Sequence, residues 1–296
     1  MRLDGIYPPI PTPFDDAGEV ALDKLRANLE RWNRTGIAGY VVLGSNGEFV
    51  LLNEKEKLEV IATVRERAAA GKFVLAGTGC EGTGETIKLA KKAAEVGADA
   101  AVIITPSYYK GSMNTAALTY HYEKIADSSP IPVILYNMPA NTGVDMSADV
   151  VAKLAQHPNI IGLKDSSGNI AKIGDIIRMV SPDFQVFAGS ASFLYAAMCL
   201  GAVGGVLALA NVAPDRCVDM FRWAREGKHT EARDLQLRLI PANTAVTSGF
   251  GIGGLKAALD MVGMYGGPVR GPLQPVNEEQ KARLRSILQT AGVLPA

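Results

Sequence analysis

The chain has 296 residues, 48% hydrophobic and 20% charged, which is typical of one large α/β domain or two small ones. Its 30 basic and 30 acidic side chains balance, so the composition predicts neither nucleic acid nor a membrane surface as a partner. The three cysteines and three histidines are scattered without CxxC or HExxH patterns, which argues against a disulfide framework and predicts no metal site.

In chain order, the first segment, residues 1–14, is broken by four prolines and lacks the apolar core of a signal peptide. No later stretch reads as a membrane span, so we expect a cytoplasmic protein. Eight apolar runs typical of buried parallel strands then follow one another along the chain. They are residues 5–13, 38–43, 73–76, 99–104, 132–136, 160–163, 184–188 and 203–209.

Most stretches between these runs show the 3.6-residue periodicity of amphipathic helices, and several carry helix-end signals. Asn53 with Glu56 predicts a capping box, Ser147 predicts an N-cap, and Gly97 and Gly201 predict helix ends. Eight βα units in one even series favour a (β/α)8 TIM barrel over the alternative, a doubly wound open sheet. We expect residues 1–225 to form this barrel and residues 226–296 to form a C-terminal helical segment packed on it.

Polar residues at the carboxyl ends of barrel strands are the candidates for chemistry. The sixth run leads into Lys164, where burial disfavours the charged form of the amine and favours Schiff-base chemistry. Tyr136 ends the fifth run and could exchange protons beside that amine. The turn GSNGE, residues 44–48, could bind a carboxylate through its amides. Each feature alone also has a structural explanation: a lysine with a hydrated head, an aromatic residue over the core, and an empty βα turn.

Two glycine-rich stretches are better explained by structure than by ligand binding. Residues 77–82 fit the dinucleotide-binding pattern GxGxxG, with Asp99 about twenty residues later. That match falls in the third βα unit, and Asp99 opens a strand instead of ending one, so we do not expect dinucleotide binding. Residues 249–254 lie among helical patterns, where close helix packing is the expected reason for the glycines.

The strings GSNGE, YNMPANTG and GLKDSSG, in this order and spacing, resemble the dihydrodipicolinate synthase / N-acetylneuraminate lyase family over essentially the whole chain. Within that family the chain looks most similar to the 4-hydroxy-2-oxoglutarate aldolases. The resemblance implies a (β/α)8 barrel that acts on a small 2-oxo acid without metal or organic cofactor. It also implies a homotetramer built as a dimer of dimers.

The resemblance further implies roles in catalysis. Lys164 would form the Schiff base with the substrate, and Tyr136 would transfer protons. Ser45 would relay protons, and Tyr108 would reach into the neighbouring subunit's site as the relay partner.

Substrate binding is implied in the same way. Ser45 and Asn46 would hold the C1 carboxylate, and Ser166 and Gly189 would line the pocket. Asn141 stands where dihydrodipicolinate synthases usually carry the arginine that grips the semialdehyde carboxylate, and Ser45-Asn46 replaces their usual threonine pair. Both departures put synthase activity in doubt.

The expectation is therefore a class I aldolase that cleaves 4-hydroxy-2-oxoglutarate to pyruvate and glyoxylate. Three alternatives stay open. One is another pyruvate-forming lyase or aldolase of the family, such as dihydrodipicolinate synthase or a sialic-acid or sugar-acid lyase. The others are a dehydratase that uses the same imine and a non-catalytic regulator that binds oxo acids.

Overall fold

The computed structural model describes residues 1–295, in which eight parallel strands form one sheet with helices between them. The strands are β1 (Gly5–Tyr7), β2 (Gly39–Val42), β3 (Phe73–Gly77), β4 (Ala100–Ile104), β5 (Val133–Asn137), β6 (Ile160–Asp165), β7 (Gln185–Ala188) and β8 (Gly204–Val206). Six of the eight predicted runs agree with these strands at both ends to within one or two residues. The first run extends past the end of β1 at Tyr7, because Pro8 and Pro9 lack the N–H that a strand needs for its hydrogen bonds. The eighth continues from Val206 into a buried 3-10 turn, Ala208–Asn211, because an apolar run alone does not distinguish a strand from a buried helical turn.

Hydrogen bonds between the first two strands close this sheet into a barrel. Each strand pairs with its sequence neighbour from β2 to β8, and β8 pairs with β1. At the remaining seam, Ala38 N donates to Ile6 O at 2.9 Å and Ile10 N donates to Val41 O at 3.0 Å. The predicted TIM barrel is therefore confirmed, and the doubly wound open sheet is excluded.

Twelve α-helices cover the outside of the barrel and its C-terminal extension among residues 1–295. They are α1 (Leu22–Asn33), α2 (Glu54–Arg67), α3 (Thr83–Glu95), α4 (Thr115–Ser128), α5 (Pro139–Thr142), α6 (Ala148–Leu154), α7 (Ile170–Met179), α8 (Leu194–Cys199), α9 (Pro214–Arg225), α10 (His229–Thr244), α11 (Gly251–Met261) and α12 (Glu278–Thr290). None of them is both long and apolar enough to cross a membrane.

The predicted helix-end signals are present in the structure. The Asn53 side chain accepts a hydrogen bond from Glu56 N at 3.0 Å, and the Glu56 carboxylate accepts one from Asn53 N at 2.8 Å. Ser147 caps α6. Gly97 and Gly201 follow helix ends with φ of +94° and +112°, a region that favours glycine.

Two apolar clusters hold the fold together. One fills the barrel and includes Tyr7, Val41 and Phe187. The other lies between the sheet and the helices and includes Leu239 and Leu284 from the C-terminal helices, so these helices share the core of the barrel. Burial of large apolar side chains contributes roughly 1.5–3 kcal/mol each.

Asp99 lies at the end of the barrel opposite to Lys164, because parallel strands begin at one end and finish at the other. Its carboxylate accepts a hydrogen bond from Val74 N at 2.7 Å and pairs with Arg65 at 3.2 Å. Asp99 therefore links β3 and α2 as a structural residue, in agreement with the reading that residues 77–82 do not bind a dinucleotide.

Candidate active site

Lys164 and Tyr136 lie side by side at the carboxyl ends of β6 and β5. They occupy the same register position in the parallel pairing of these strands. Both are buried, with 4% and 5% of their surfaces exposed, and the Lys164 Nζ lies 3.7 Å from the centre of the Tyr136 ring. Side chains alternate between the two faces of a strand, so this register brings both side chains into the barrel mouth.

The phenol of Tyr136 has a hydroxyl neighbour in the turn that follows β2. Ser45 Oγ lies 3.3 Å from Tyr136 Oη. Burial by itself raises the pKa of the Tyr136 phenol, but the Lys164 charge and hydrogen bonds from neighbouring side chains outweigh it and hold the pKa below its usual value. The phenol is therefore easier to deprotonate than a free tyrosine and can act as a base.

The turn that carries Ser45 and Asn46 has an unusual backbone. Residues Ser45–Gly47 form one 3-10 turn, and Thr12 Oγ1 donates to Gly47 O at 2.7 Å. Leu43 and Glu48, on either side, adopt positive φ values of 60° and 54°. Such values are uncommon for residues other than glycine and occur often at functional sites.

Seven of the eight predicted site residues line a cavity of about 430 Å³ at the barrel mouth. These are Ser45, Asn46, Tyr136, Asn141, Lys164, Ser166 and Gly189. Tyr108, the eighth, does not line this cavity, and 77% of its surface is exposed. Lys164 is the only basic side chain of the lining, which contains no carboxylate among the described residues.

Gly189 illustrates why the lining needs a particular residue type. A Cβ at this position would lie 2.0 Å from Ser166 Oγ and 2.7 Å from Asp165 O. Gly189 N donates to Asp165 O at 2.7 Å, so β6 and β7 approach closely there. Any larger residue would displace Ser166 from the cavity wall.

Asp165, next to the candidate lysine, points away from the cavity and ties β6 to its surroundings. Its carboxylate, 1% exposed, accepts a hydrogen bond from Asn137 Nδ2 at 2.8 Å and pairs with Lys172 at 3.2 Å. Ser167 N donates to it at 2.9 Å. Asn137 belongs to β5, so this network holds the strand ends of Tyr136 and Lys164 together. This network was not predicted from the sequence, although the Asp directly after Lys164 was a visible signal.

The far wall of the cavity was also missed. It comes from a π-helical turn between α10 and α11, Ala245–Gly249, with Thr247 and Ser248 in the lining. Asn243 Nδ2 donates to Ser190 Oγ at 2.9 Å and so orients another hydroxyl of this wall. π-Helical turns occur often at functional sites, but no local sequence pattern announces them.

The glycine-rich run, residues 249–254, has two structural roles. A Cβ on Gly253 or Gly254 would clash with Gln274 O at 2.8 Å or with Phe250 Cβ at 2.4 Å, which confirms the predicted close packing. Gly251, in contrast, has a φ of +60° and lines the cavity.

A larger cavity of about 780 Å³ adjoins the first and shares Ser45 with it. Glu81, at its edge, holds the loop that carries Tyr108. The Glu81 carboxylate accepts hydrogen bonds from Ser107 Oγ at 2.7 Å and from Tyr108 N at 3.0 Å. Partial burial raises the pKa of Glu81, and these hydrogen bonds outweigh that effect and lower it. The Tyr108 backbone is therefore fixed while its ring is exposed.

Comparison with known proteins identifies the family. The dihydrodipicolinate synthetase family model matches residues 2–291. A 4-hydroxy-tetrahydrodipicolinate synthase of Methanothrix thermoacetophila is 39% identical over 96% of this chain and 95% of its own length. A probable mitochondrial 4-hydroxy-2-oxoglutarate aldolase of Emericella nidulans is 35% identical over 96% of this chain and 93% of its own length.

Solved structures agree with this result. Dihydrodipicolinate synthase DapA-2 of Bacillus anthracis superposes with a TM-score of 0.94 and 31% identity over 100% of both chains. YagE of E. coli K12, a prophage protein of the dihydrodipicolinic acid synthase family in complex with pyruvate, has a TM-score of 0.92 and 31% identity, over 99% of this chain and 100% of its own. The chain belongs to the dihydrodipicolinate synthetase family, whose members are carbon–carbon lyases.

Proposed function

We propose that this protein is a class I aldolase that cleaves 4-hydroxy-2-oxoglutarate to pyruvate and glyoxylate through a Schiff base on Lys164. The observation that carries the proposal is the buried pairing of Lys164 with Tyr136, with the Lys164 Nζ 3.7 Å from the ring centre. An amine and an acidified phenol in one cavity supply the nucleophile and the base that an imine-forming aldolase needs.

The reaction follows from these two groups. The Lys164 amine attacks the C2 carbonyl, and water leaves to form an iminium. The Tyr136 phenolate takes the proton of the C4 hydroxyl, the C3–C4 bond breaks, and its electron pair moves into the iminium. Glyoxylate leaves and an enamine remains. Protonation at C3 and attack of water on the resulting iminium release pyruvate and the free amine.

The turn at the end of β2 would orient the substrate. Ser45 and Asn46 would bind the C1 carboxylate, so that the keto carbon faces Lys164, while Ser166 and Gly189 bound the pocket. Ser45 Oγ, 3.3 Å from Tyr136 Oη, is within reach to relay a proton from the phenol. Such positioning contributes several kcal/mol, and up to about 7–11 kcal/mol in well-oriented intramolecular reactions.

The neutral lining supports cleavage over condensation with a second charged substrate. Asn141 offers one neutral hydrogen bond, worth about 1 kcal/mol net, whereas a guanidinium on a carboxylate is roughly twice as strong. In the cleavage direction both carboxylates belong to one molecule that is covalently attached to Lys164, so the distal one needs no separate capture. The hydroxyls of Ser190 and Ser248 are available to bind it, whereas the Thr247 hydroxyl donates to Asn243 O at 2.7 Å.

A 4-hydroxy-tetrahydrodipicolinate synthase is the second candidate, favoured by the relative of that name at 39% identity. The two are separated by measuring kcat/KM for 4-hydroxy-2-oxoglutarate cleavage and for condensation of pyruvate with aspartate semialdehyde on one preparation. A condensation at least tenfold faster would contradict the assignment of substrate and leave the Schiff base intact. Asn141→Arg should raise the ratio of condensation to cleavage, and a lower ratio would show that Asn141 does not face the second substrate.

The covalent step has a direct test. Incubation with pyruvate and borohydride, followed by peptide mass spectrometry, should label Lys164 alone. Lys164→Ala should lose turnover by about 10³-fold or more, and Lys164→Arg should not restore it, because a guanidinium stays protonated. Labelling of another lysine, or of none, would contradict the mechanism. Labelling without turnover of any oxo acid would instead indicate a binding protein.

We also propose a homotetramer in which Tyr108 completes the neighbouring subunit's site. The support is an exposed ring on a fixed backbone beside a cavity of about 780 Å³ that reaches Ser45. Mixing Tyr108→Phe with Lys164→Ala and reassembling the subunits should restore activity, because some sites then combine an intact Lys164 with an intact Tyr108. Activity no higher than that of the separate variants, or a monomer in sedimentation, would contradict this arrangement.

A further inference from the structure

A fully buried ion pair joins the Ser45 turn to the C-terminal helices. Glu48 Oε1 lies 2.6 Å from Lys256 Nζ, and the two side chains are 0% and 1% exposed. Glu48 ends the GSNGE turn, whereas Lys256 lies in α11. Neither side chain lines the cavity that contains Lys164, and neither has a part in the proposed reaction.

Further polar and aromatic contacts surround this pair. Lys256 Nζ donates to Pro268 O at 2.7 Å and lies 4.4 Å from the centre of the Phe14 ring. Glu48 Oε2 accepts a hydrogen bond from Arg270 N at 2.8 Å. Burial lowers the pKa of Lys256, and the Glu48 carboxylate counteracts part of that shift. The pair thus sits in a well-defined arrangement and is not a loose surface contact.

The backbone of Glu48 connects this ion pair to the site. Glu48 N donates to Ser45 O at 3.2 Å, and its φ of 54° is unfavourable for a residue with a side chain. The conformation that places the carboxylate on Lys256 is therefore the one that closes the turn over Ser45. We expect a change at the carboxylate to reach the Ser45 hydroxyl through the backbone of this turn.

Helix α11, which carries Lys256, connects to the opposite wall of the cavity that contains Lys164. α11 follows directly on the π-helical turn that carries Thr247 and Ser248. The ion pair therefore fixes two walls of one cavity against each other. A buried ion pair is often no more stabilising than a well-packed apolar pair of the same size, so overall stability alone does not account for it.

We propose that Glu48 and Lys256 are positioning residues that hold the Ser45 hydroxyl within reach of Tyr136 for proton transfer. This inference rests on the proposed Schiff-base function. Loss of the pair should slow the proton transfers at C3 of the bound pyruvate and leave the equilibrium amount of imine, which borohydride traps, unchanged. Pyruvate alone reports both quantities, because its imine loses a C3 proton to the enzyme, and the enamine regains one from solvent.

The experiment compares two readouts of wild type and Glu48→Gln with pyruvate as the only substrate. Borohydride trapping measures imine formation, and NMR in D₂O measures exchange of the C3 protons. In Glu48→Gln we expect trapping at saturating pyruvate to stay within about threefold of wild type. The maximal exchange rate should fall by about tenfold or more, because misplacement near 1 Å has effects of that size.

Two further variants make the result decisive. Asp99→Asn makes the same carboxylate-to-amide change in an ion pair at the other end of the barrel, and it should keep the wild-type exchange rate. The double variant Glu48→Gln/Lys256→Met leaves no unpaired buried charge, so it tests the inference if the single variant does not fold. It too should exchange at least about tenfold more slowly while trapping pyruvate normally.

The outcomes distinguish failure of the positioning role from failure of the Schiff-base mechanism. A wild-type exchange rate in the folded variants would overturn the positioning role alone. A parallel fall of trapping and exchange would also overturn it, since that is the signature of general structural damage. Failure of the wild-type protein to trap pyruvate would refute the Schiff base itself, and the inference with it.

Discussion

Tyr136→Phe is the sharpest single test of the proposed chemistry, because it removes one oxygen and leaves the ring. The lost atom is the hydroxyl that lies 3.3 Å from Ser45 Oγ. The ring would still cover Lys164 Nζ, 3.7 Å from its centre in the native protein. Packing and access to the amine are therefore preserved, and the change isolates proton transfer.

The size of the effect follows from the cavity lining. General acid–base catalysis contributes about 10²–10⁴-fold, and Lys164 is the only other titratable side chain in the lining among the described residues. No neighbouring group replaces the phenol, so we expect a loss of about 10³–10⁴-fold in kcat, or about 4–5.5 kcal/mol of transition-state stabilisation. Loss of one hydrogen bond costs about 1 kcal/mol of folding stability, a decrease of only a few degrees in Tm.

The assay is pyruvate release from 4-hydroxy-2-oxoglutarate, coupled to lactate dehydrogenase, together with borohydride trapping of pyruvate. Turnover should fall while trapping at Lys164 is retained. Tyr109→Phe is the matched control, since this phenol is 71% exposed and lies outside the cavity. A kcat within tenfold of wild type would refute the role of Tyr136, and so would loss of trapping in a folded variant.

Four further predictions follow from the structure. Because the Tyr136 base must be deprotonated and its pKa is lowered, kcat/KM should fall as pH decreases through a value below 10, and a pH profile of the same shape in Tyr136→Phe would contradict this. Asp165→Ala should lower the free energy of unfolding by about 3 kcal/mol, because Asn137 Nδ2 and Ser167 N lose hydrogen bonds to a buried carboxylate, although Lys172 keeps Asp145 as a partner. Asp145→Ala, at a carboxylate that is 50% exposed, should cost about 1 kcal/mol or less, and equal shifts in thermal denaturation would contradict the network. Burial lowers the pKa of His121 from 6.5 to about 4, so the unfolded chain binds a proton between these values that the native protein does not. Stability should therefore decrease as pH falls from 6.5 to about 4, and His121→Gln should weaken that dependence when Tm is measured against pH. EDTA should leave turnover unchanged, and a loss that a divalent ion restores would indicate a metal-dependent mechanism.

The barrel and the position of the lysine were predictable because both depend on local pattern. Apolar runs identify buried strands, and even alternation with helices identifies the closed parallel sheet. Once strand order is known, the last residues of β5 and β6 must be neighbours at the barrel mouth. That Tyr136 and Lys164 are neighbours was therefore expected before the structure, which adds that they share one register position, although their chemical roles stay proposals.

The far wall of the cavity, which the π-helical turn forms, was not predictable in this way. Thr247 and Ser248 reach the site through a π-helical turn, and nothing in their immediate sequence distinguishes that turn from the flanking helices. Strand β8 also ends before the predicted run does, since an apolar run is equally compatible with the buried 3-10 turn that follows Val206.

By itself, the sequence determined the strands, their order and the polar residues at their ends, because periodicity and strand succession are properties of short segments. Only the tertiary structure decided which distant residues meet there. Glu48 and Arg270 are separated by 222 positions and share a hydrogen bond, and the charge of Glu48 is buried against Lys256. Such contacts depend on how helices outside the barrel close over its mouth, and a single sequence carries no local signal for that geometry.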